Sequence, residues 1–136
     1  MRINYVAKLY GKILHIYDHV YRENIWVLVS KDEKDYIKLY KKWFEELPPE
    51  GLIYDCIAAR YSYGTAKDKK GKFPVHIIWL KEIDIPALCH EIAHCTASIL
   101  GKKSIPLCED TDEAYAYHQE FLMKTILNAF GGKKCS

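Results

Sequence analysis

The sequence predicts an α+β fold, in which helices pack on one face of a small mixed β-sheet. Three observations predict it: strand-sized apolar runs before residue 81, one amphipathic helix among them, and two adjacent helices in the last third. The 136 residues, 49% hydrophobic and 28% charged, have the length and composition of one folded domain. We therefore expect residues 1–136 to form a single domain.

The N-terminal part predicts strands followed by one helix. The apolar residues of 5–21 fit alternation and helical spacing about equally well, and we expect a strand near 13–17. Residues 23–30 predict the next strand, and Ser30 followed by Glu33 has the spacing of a capping box that begins a helix. Two consecutive prolines end that helix, whose apolar stripe comprises Tyr36, Leu39, Tyr40, Trp43, Phe44 and Leu47.

The middle of the chain predicts a hairpin or two neighbouring strands. Residues 54–63 are rich in side chains typical of strands, and residues 73–80 form a short apolar run of β-branched and aromatic residues. Between them, residues 66–72 are polar and lysine-rich, which predicts a solvated loop. His76 lies within the second run, where we expect it on the surface of the strand.

The last third predicts two adjacent helices. Pro86 is suited to the first turn of a helix that runs to residue 100, where Gly101 provides the stop. Residues 102–108 predict a loop, and a second helix is expected from residue 111 to residue 130. A short connection of this kind makes the two helices antiparallel neighbours.

The first of these helices contains His90-Glu91-Ile92-Ala93-His94, an HExxH motif. Four residues advance an α-helix by about 400°, so both imidazoles project from one face and can bind one metal ion. Glu91 lies about 60° from His94, a position suited to holding a metal-bound water without ligating the metal. We therefore predict that His90 and His94 are metal ligands, with zinc as the metal.

A catalytic zinc ion takes three protein ligands, so the motif needs a third residue. The HExxHxxGxxH pattern is excluded, because Ala97 and Leu100 occupy the positions of its Gly and final His. Glu113 is our choice, since it lies in the first turn of the second helix. Asp110 and Glu113 also have capping-box spacing, in which the carboxylate only bonds backbone N–H groups. The alternative ligands are His118, Asp112 and Glu109.

Tyr117 is a candidate catalytic residue. It lies one helical turn beyond Glu113 on the same face, where its phenol can donate to a ligand carboxylate or to an oxyanion at the metal. Tyr115 is a weaker candidate. The chain has 11 tyrosines, so packing within the helix explains either residue at least as well.

The five cysteines are odd in number and never form a C-x-x-C pair, which favours free thiols in a reducing compartment. A structural zinc site that combines Cys89, Cys95 and Cys108 with the two histidines is disfavoured. Adjacent helical residues such as Cys89 and His90 point about 100° apart and do not easily bind one ion.

Charge and hydropathy indicate no particular partner. Lys and Arg number 20 and Asp and Glu 18, a balance that makes nucleic acid an unexpected partner. The longest apolar runs, such as residues 25–29, are far shorter than the roughly 20 residues that span a bilayer. No secretory signal is recognisable at the N-terminus, so we expect a cytoplasmic protein without a membrane partner. These patterns do not indicate an oligomeric state.

Residues 75–80, the HExxH motif and Asp112-Glu113-Ala114-Tyr115-Ala116-Tyr117 together resemble zincin-like metallopeptidases of the gluzincin type, especially small ones from bacteriophage and prophage genomes. The resemblance covers about residues 73–130, with a weaker match of the strand-plus-helix pattern of 23–47. It implies a minimal zincin-like core, in which the HExxH helix is followed by a Glu-bearing helix. It also implies zinc bound by His90, His94 and Glu113, with Glu91 as the catalytic base.

The leading expectation is a zinc-dependent metallopeptidase that cleaves a peptide or protein substrate with a metal-activated water and Glu91 as general base. An edge strand at residues 73–80 is expected to hold the extended peptide beside the metal. The alternative is a non-catalytic zincin-like phage module that binds a host protein or nucleic acid. It gains weight because 136 residues leave little material for the walls of a substrate cleft.

Overall fold

The computed structural model describes residues 5–49 and 59–131, which form a mixed five-stranded sheet and three helices, as the α+β prediction requires. The strands are β1 (Tyr5–Tyr10), β2 (Ile13–Asp18), β3 (Glu23–Val29), β4 (Ala59–Asp68) and β5 (Gly71–Leu80). The helices are α1 (Glu33–Phe44), α2 (Ile85–Lys102) and α3 (Asp112–Phe130). The strands lie in the order β1-β2-β3-β5-β4, with β3 and β5 parallel and the other neighbours antiparallel.

Helices cover both faces of this sheet, so the expectation of helices on one face is wrong. Val27 and Ile78 belong to a buried core shared with α2 and α3, whereas Leu28 and Ile77 belong to a second core shared with α1. Successive residues of a strand point to opposite faces, so β3 and β5 contribute to both cores. The uninterrupted apolar run in β5 is typical of a strand that is covered on both sides.

β5 is an interior strand and not the edge strand expected from the sequence. Its residue Ile78 lies opposite Val27 of β3 on one side and opposite Tyr61 of β4 on the other. β4 is therefore the edge strand beside α2, and β1 is the opposite edge. Local periodicity identifies a strand but does not specify its distant neighbours, which is why the position of β5 was predicted wrongly.

The strands predicted near 13–17, 23–30 and 73–80 are confirmed by β2, β3 and β5, and the last of these forms a hairpin with β4. β1 was not predicted. Residues 66–72 do not form a loop. β4 ends at Asp68 and β5 begins at Gly71, so only a two-residue turn separates the strands. Residues 54–58 of the predicted strand lie outside the described residues.

The three predicted helices are present, but three boundaries differ. α1 ends at Phe44, where Glu45 adopts a left-handed conformation, so the two prolines do not end the helix and Leu47 lies outside it, exposed. α1 is capped by Asp32 and not by Ser30: the Asp32 carboxylate accepts from the Lys34 N–H at 2.9 Å. The Ser30 hydroxyl instead donates to the Asp35 carboxylate at 2.6 Å. Gly101 lies inside α2, because the helix continues to Lys102. No described helix combines the length and apolar character that crossing a bilayer requires.

Gly64 of β4 tests the packing of α1 on the sheet. A Cβ at this position would lie 2.5 Å from Cε1 of Phe44, so Gly64→Ala has to displace that ring. We expect the free energy of unfolding, measured by urea denaturation, to fall by about 1–3 kcal/mol.

The matched control is Gly101→Ala, where an added Cβ meets nothing within 4 Å. Because Gly101 lies within a helix, this change should raise the free energy of unfolding by about 0.5–1 kcal/mol. Equal effects of the two substitutions would contradict the contact between Phe44 and β4.

Candidate functional site

His90 and His94 lie on the solvent-facing side of α2, and their rings converge. The two Nε2 atoms are 3.1 Å apart, and the rings cross at 76° with their centroids 4.7 Å apart. Both residues are exposed, whereas Ile92 and Cys95 on the other side of the helix are buried. As the spacing predicts, the motif divides α2 into a packed side and an accessible side.

The separation of these two nitrogens fits a shared zinc ion. With Zn–N distances of about 2.0–2.1 Å and tetrahedral angles, two imidazole nitrogens on one zinc lie about 3.3 Å apart. The Nε2 atoms of His90 and His94 differ from that separation by a few tenths of an ångström. A hydrogen bond between the rings gives a similar distance, and a metal ion that binds there displaces the shared proton.

Glu91 is the buried member of the motif. Its side chain is 8% exposed, and its Oε1 lies 4.0 Å from His90 Nε2. Burial raises the pKa of the Glu91 carboxyl, and the nearby His90 and His94 partly oppose that rise. A carboxylate with a raised pKa is a more effective proton acceptor near neutral pH. The motif thus combines two accessible imidazoles with a desolvated base.

Tyr61 of β4 contacts two members of the motif. Its ring lies nearly parallel to the His94 ring, at 12° and with the centroids 6.3 Å apart. Its backbone lies close enough to the Glu91 carboxylate to lower the pKa of that group. Tyr61 of the edge strand therefore lies beside both His94 and Glu91. The sequence carried no signal for this arrangement, because the contact joins residues that are distant along the chain.

His76 is fully buried beneath α2, so the expectation that it lies on the strand surface is wrong. Its Nδ1 is 2.6 Å from the Tyr61 hydroxyl, and its Nε2 is 3.7 Å from Oε1 of Glu23. Burial lowers the pKa of His76 by more than the neighbouring Glu23 raises it. Among the described residues, neither His76 Nε2 nor Glu23 Oε2 has a hydrogen-bond partner.

The predicted third ligand is not brought to the histidine pair. Within residues 5–49 and 59–131, no three His, Cys, Asp or Glu side chains come together as a group that could hold a metal ion. Glu113 is exposed at the start of α3. The structure therefore assembles His90, His94 and Glu91, while Glu113 as a ligand stays a prediction.

The structure separates the alternatives to Glu113. His118 is buried, with Nδ1 2.8 Å from Thr96 Oγ1 and Nε2 3.2 Å from Asp18 Oδ2, so both ring nitrogens already have partners. The N-cap of α3 is Thr111, which makes Glu113 the second helical residue and excludes the capping box with Asp110. The exposed carboxylates that remain as candidates are Glu113, Asp112 and Glu109.

The two candidate tyrosines of α3 differ in their surroundings. Tyr115 is buried, and its hydroxyl donates to the Ile105 carbonyl at 2.6 Å, which ties α3 to the segment after α2. Tyr117 is 65% exposed. Tyr117 is therefore the one whose ring remains accessible to a ligand.

The cysteines within the described residues are free thiols, of which Cys95 is buried and Cys89 and Cys108 are exposed. None of them joins the two histidines in a described group that could hold a metal ion. Cys56 and Cys135 lie outside the described residues.

His76 makes the stability of the fold depend on pH. Because folding lowers its pKa, the unfolded chain binds a proton below about pH 6.5 that the native protein does not bind. The free energy of unfolding should therefore fall as the pH drops from about 7 to about 5, by at most about 1.4 kcal/mol per pH unit for one proton.

Urea denaturation at a series of pH values measures this effect. His76→Gln removes the titrating group and should flatten the dependence, whereas His19→Gln removes an exposed histidine and should leave it unchanged. The same pH dependence in the wild-type protein and in His76→Gln would show that His76 is not the group responsible.

Comparison of the chain with protein-family models, with curated proteins and with solved structures finds no match. The function is therefore inferred from the chemistry of the residues that the fold brings together.

Proposed function

We propose that this chain is a zinc-dependent peptide hydrolase. The observation that supports it best is the convergence of His90 Nε2 and His94 Nε2 to 3.1 Å beside the buried Glu91 carboxylate. Two imidazoles one helical turn apart, with a desolvated carboxylate next to them, supply metal ligands and a general base for hydrolysis. Bound Zn²⁺ lowers the pKa of water and polarises the scissile carbonyl.

Glu91 performs the proton transfers in this proposal. Its carboxylate accepts a proton from the attacking water and delivers it to the amide nitrogen, so that this nitrogen leaves as an amine. Burial favours the role because it raises the pKa of Glu91 towards the working pH. The His90 imidazole lies beside this carboxylate, with Nε2 4.0 Å from Oε1 of Glu91.

His90, His94 and Glu113 are the proposed zinc ligands. Among the described residues no carboxylate completes a metal-binding group with the two histidines, so ligation by Glu113 requires the start of α3 to approach them. Its carboxylate is available for this, because it is exposed and lies outside a capping box. Tyr117, exposed one turn further along α3, is the proposed donor to the oxyanion of the transition state.

β4 is the strand that an extended peptide substrate would join. It is the edge strand next to α2, and its residue Tyr61 contacts both His94 and Glu91. A peptide that pairs with the outer edge of β4, which has no further strand beside it among residues 5–49 and 59–131, lies close to these side chains. β4 therefore replaces residues 73–80, which are interior, as the proposed peptide-binding strand.

Glu91→Gln tests the general base. The substitution keeps the size of the side chain but removes its ability to accept a proton, so zinc binding should persist while peptide cleavage falls by about 10²-fold or more. Zinc content by elemental analysis and cleavage of a fluorogenic peptide library provide the two measurements. His94→Ala should instead lose the zinc.

Glu82→Gln is the matched control, since Glu82 is exposed just before α2 and should affect neither measurement. Cleavage that survives Glu91→Gln would remove this residue from the mechanism. Folded wild-type protein that binds no zinc, or that binds zinc and cleaves no peptide of the library, would contradict the proposed hydrolase.

Substitution of the three exposed carboxylates identifies the third ligand. Glu113→Gln should weaken zinc binding by at least about 10-fold, because it removes a ligand charge, whereas Glu109→Gln and Asp112→Asn should leave zinc affinity unchanged. Competition with a chromogenic chelator measures the affinity. If Glu109→Gln or Asp112→Asn causes the loss instead, that residue and not Glu113 completes the site.

A further inference from the structure

Two open clefts lie side by side on the α1 side of the sheet and meet at Trp26. One of about 460 Å³ lies between the β1–β2 hairpin and α1, and the other, of about 550 Å³, lies between β2–β3 and the β4–β5 hairpin. We call their combined lining the basic aromatic face. Its ring-bearing side chains are Tyr10, His15, Tyr17, Trp26, Trp43 and Phe73.

Four of these six rings form a connected row. His15 stacks on Trp26 with the centroids 4.1 Å apart and the planes at 9°, and Trp26 contacts Trp43 at 5.0 Å. Trp43 in turn meets the edge of Phe73 at 6.0 Å. A hydrogen bond of 2.9 Å between His15 Nε2 and Asn24 Oδ1 fixes the first ring. The row is therefore positioned before any ligand binds. Tyr10, which lines the same cleft as Trp26, is 52% exposed.

Positive charge is concentrated on the same face. Its lysines, all exposed, are Lys12, Lys38, Lys42, Lys70 and Lys72. The acidic residues that line the same clefts are Asp35 and Asp68, so the face carries an excess of three positive charges. The whole chain carries only +2, so the charges of all the other residues add up to −1. A nearly balanced composition thus conceals a local basic patch.

The lysines and the rings are interleaved. Lys42 Nζ lies 5.9 Å from the Trp26 ring centroid and 5.3 Å from that of Trp43. Lys12 is paired with Asp35 at 3.4 Å, but both side chains are well exposed and such a pair contributes little. A ligand that combines negative charges with flat aromatic groups therefore matches the face in both respects.

We propose that the basic aromatic face binds single-stranded nucleic acid, with phosphates on the lysines and unstacked bases against the aromatic side chains. Single strands present bases and phosphates together, and aromatic residues within a basic groove are the usual means of binding them. A duplex keeps its bases stacked inside, and an acidic peptide lacks a series of flat rings. Charge and ring content together favour the single strand over both.

This surface is independent of the proposed hydrolase. Trp26, Trp43 and Phe73 pack with the core on the α1 side, whereas α2 with its two histidines covers the opposite side of the sheet. Substitutions in one surface therefore leave the other in place, and each proposal can fail without the other.

Fluorescence anisotropy of a labelled twelve-nucleotide oligo(dT) with the full chain tests the proposal. At low salt we expect a Kd below about 100 μM, with a logarithmic salt slope of about −2 to −3.5 if three to five phosphates are neutralised. A twelve-base-pair duplex and a polyglutamate peptide should bind at least about 10-fold more weakly. Absence of binding, or equal binding of the duplex or of the peptide, would overturn the proposal.

Paired variants locate the binding surface. Lys42→Gln/Lys72→Gln should weaken oligo(dT) binding at least about 10-fold and reduce the salt slope by about 1.4, since two phosphate contacts are lost. Lys103→Gln/Lys124→Gln removes two exposed lysines elsewhere and should change the Kd by less than about twofold. Equal losses in the two double variants would show that only net charge matters and would overturn the assignment.

Tyr10 tests the stacking contribution at an exposed position where folding is not at risk. Tyr10→Leu keeps apolar bulk but removes the ring, and it should weaken binding at least about fivefold. Tyr10→Phe keeps the ring and should bind like the wild-type protein. Unchanged affinity in Tyr10→Leu would contradict stacking at this end of the face.

Discussion

The double burial of β5 is the constraint on which the rest of the structure depends. Its Ile78 packs beneath α2 and α3, while Trp79 stacks on Tyr36 of α1 at 4.8 Å and donates its indole N–H to the Ser30 carbonyl. Fully burying a large apolar side chain contributes roughly 1.5–3 kcal/mol, and five of the six consecutive buried residues of β5 are apolar. One strand thus sets the position of both helical layers and of the two surfaces that they carry.

The character of the candidate metal site follows from the way α2 is attached. Leu88, Ile92 and Ile99 hold the helix to the sheet, so its outward side is not required for packing and can carry two imidazoles. Glu91 lies at the boundary between these sides, where a carboxylate is desolvated but still adjacent to His90. The helical period therefore supplies both the accessible ligands and the raised pKa of the base.

Local patterns in the sequence predicted the helices and strands, but they did not predict the contacts between segments that are distant along the chain. The HExxH helix, α3, β3 and β5 each carry a pattern of apolar residues that one segment displays by itself. The pairing of β5 with both β3 and β4, and the contact of Tyr61 with His94, join separated segments and leave no such pattern. The run of residues 73–80 did contain a missed signal, since continuous rather than alternating apolar residues indicate cover on both faces.

The parallel pairing of β3 with β5 also has a kinetic consequence. Asn24 lies opposite Val75, about fifty residues away, whereas the other strand pairs are joined by short turns. Closing such a long loop is slow relative to forming hairpins and helices. Tyr61, His90, Glu91 and His94 all lie in β4 and α2, which do not depend on this pairing to meet, whereas the aromatic row joins His15 and Trp26 of β2 and β3 to Phe73 of β5. Before β3 pairs with β5, the residues of the candidate metal site can already come together, whereas the two halves of the aromatic row are still apart. The two surfaces therefore form at different stages of folding.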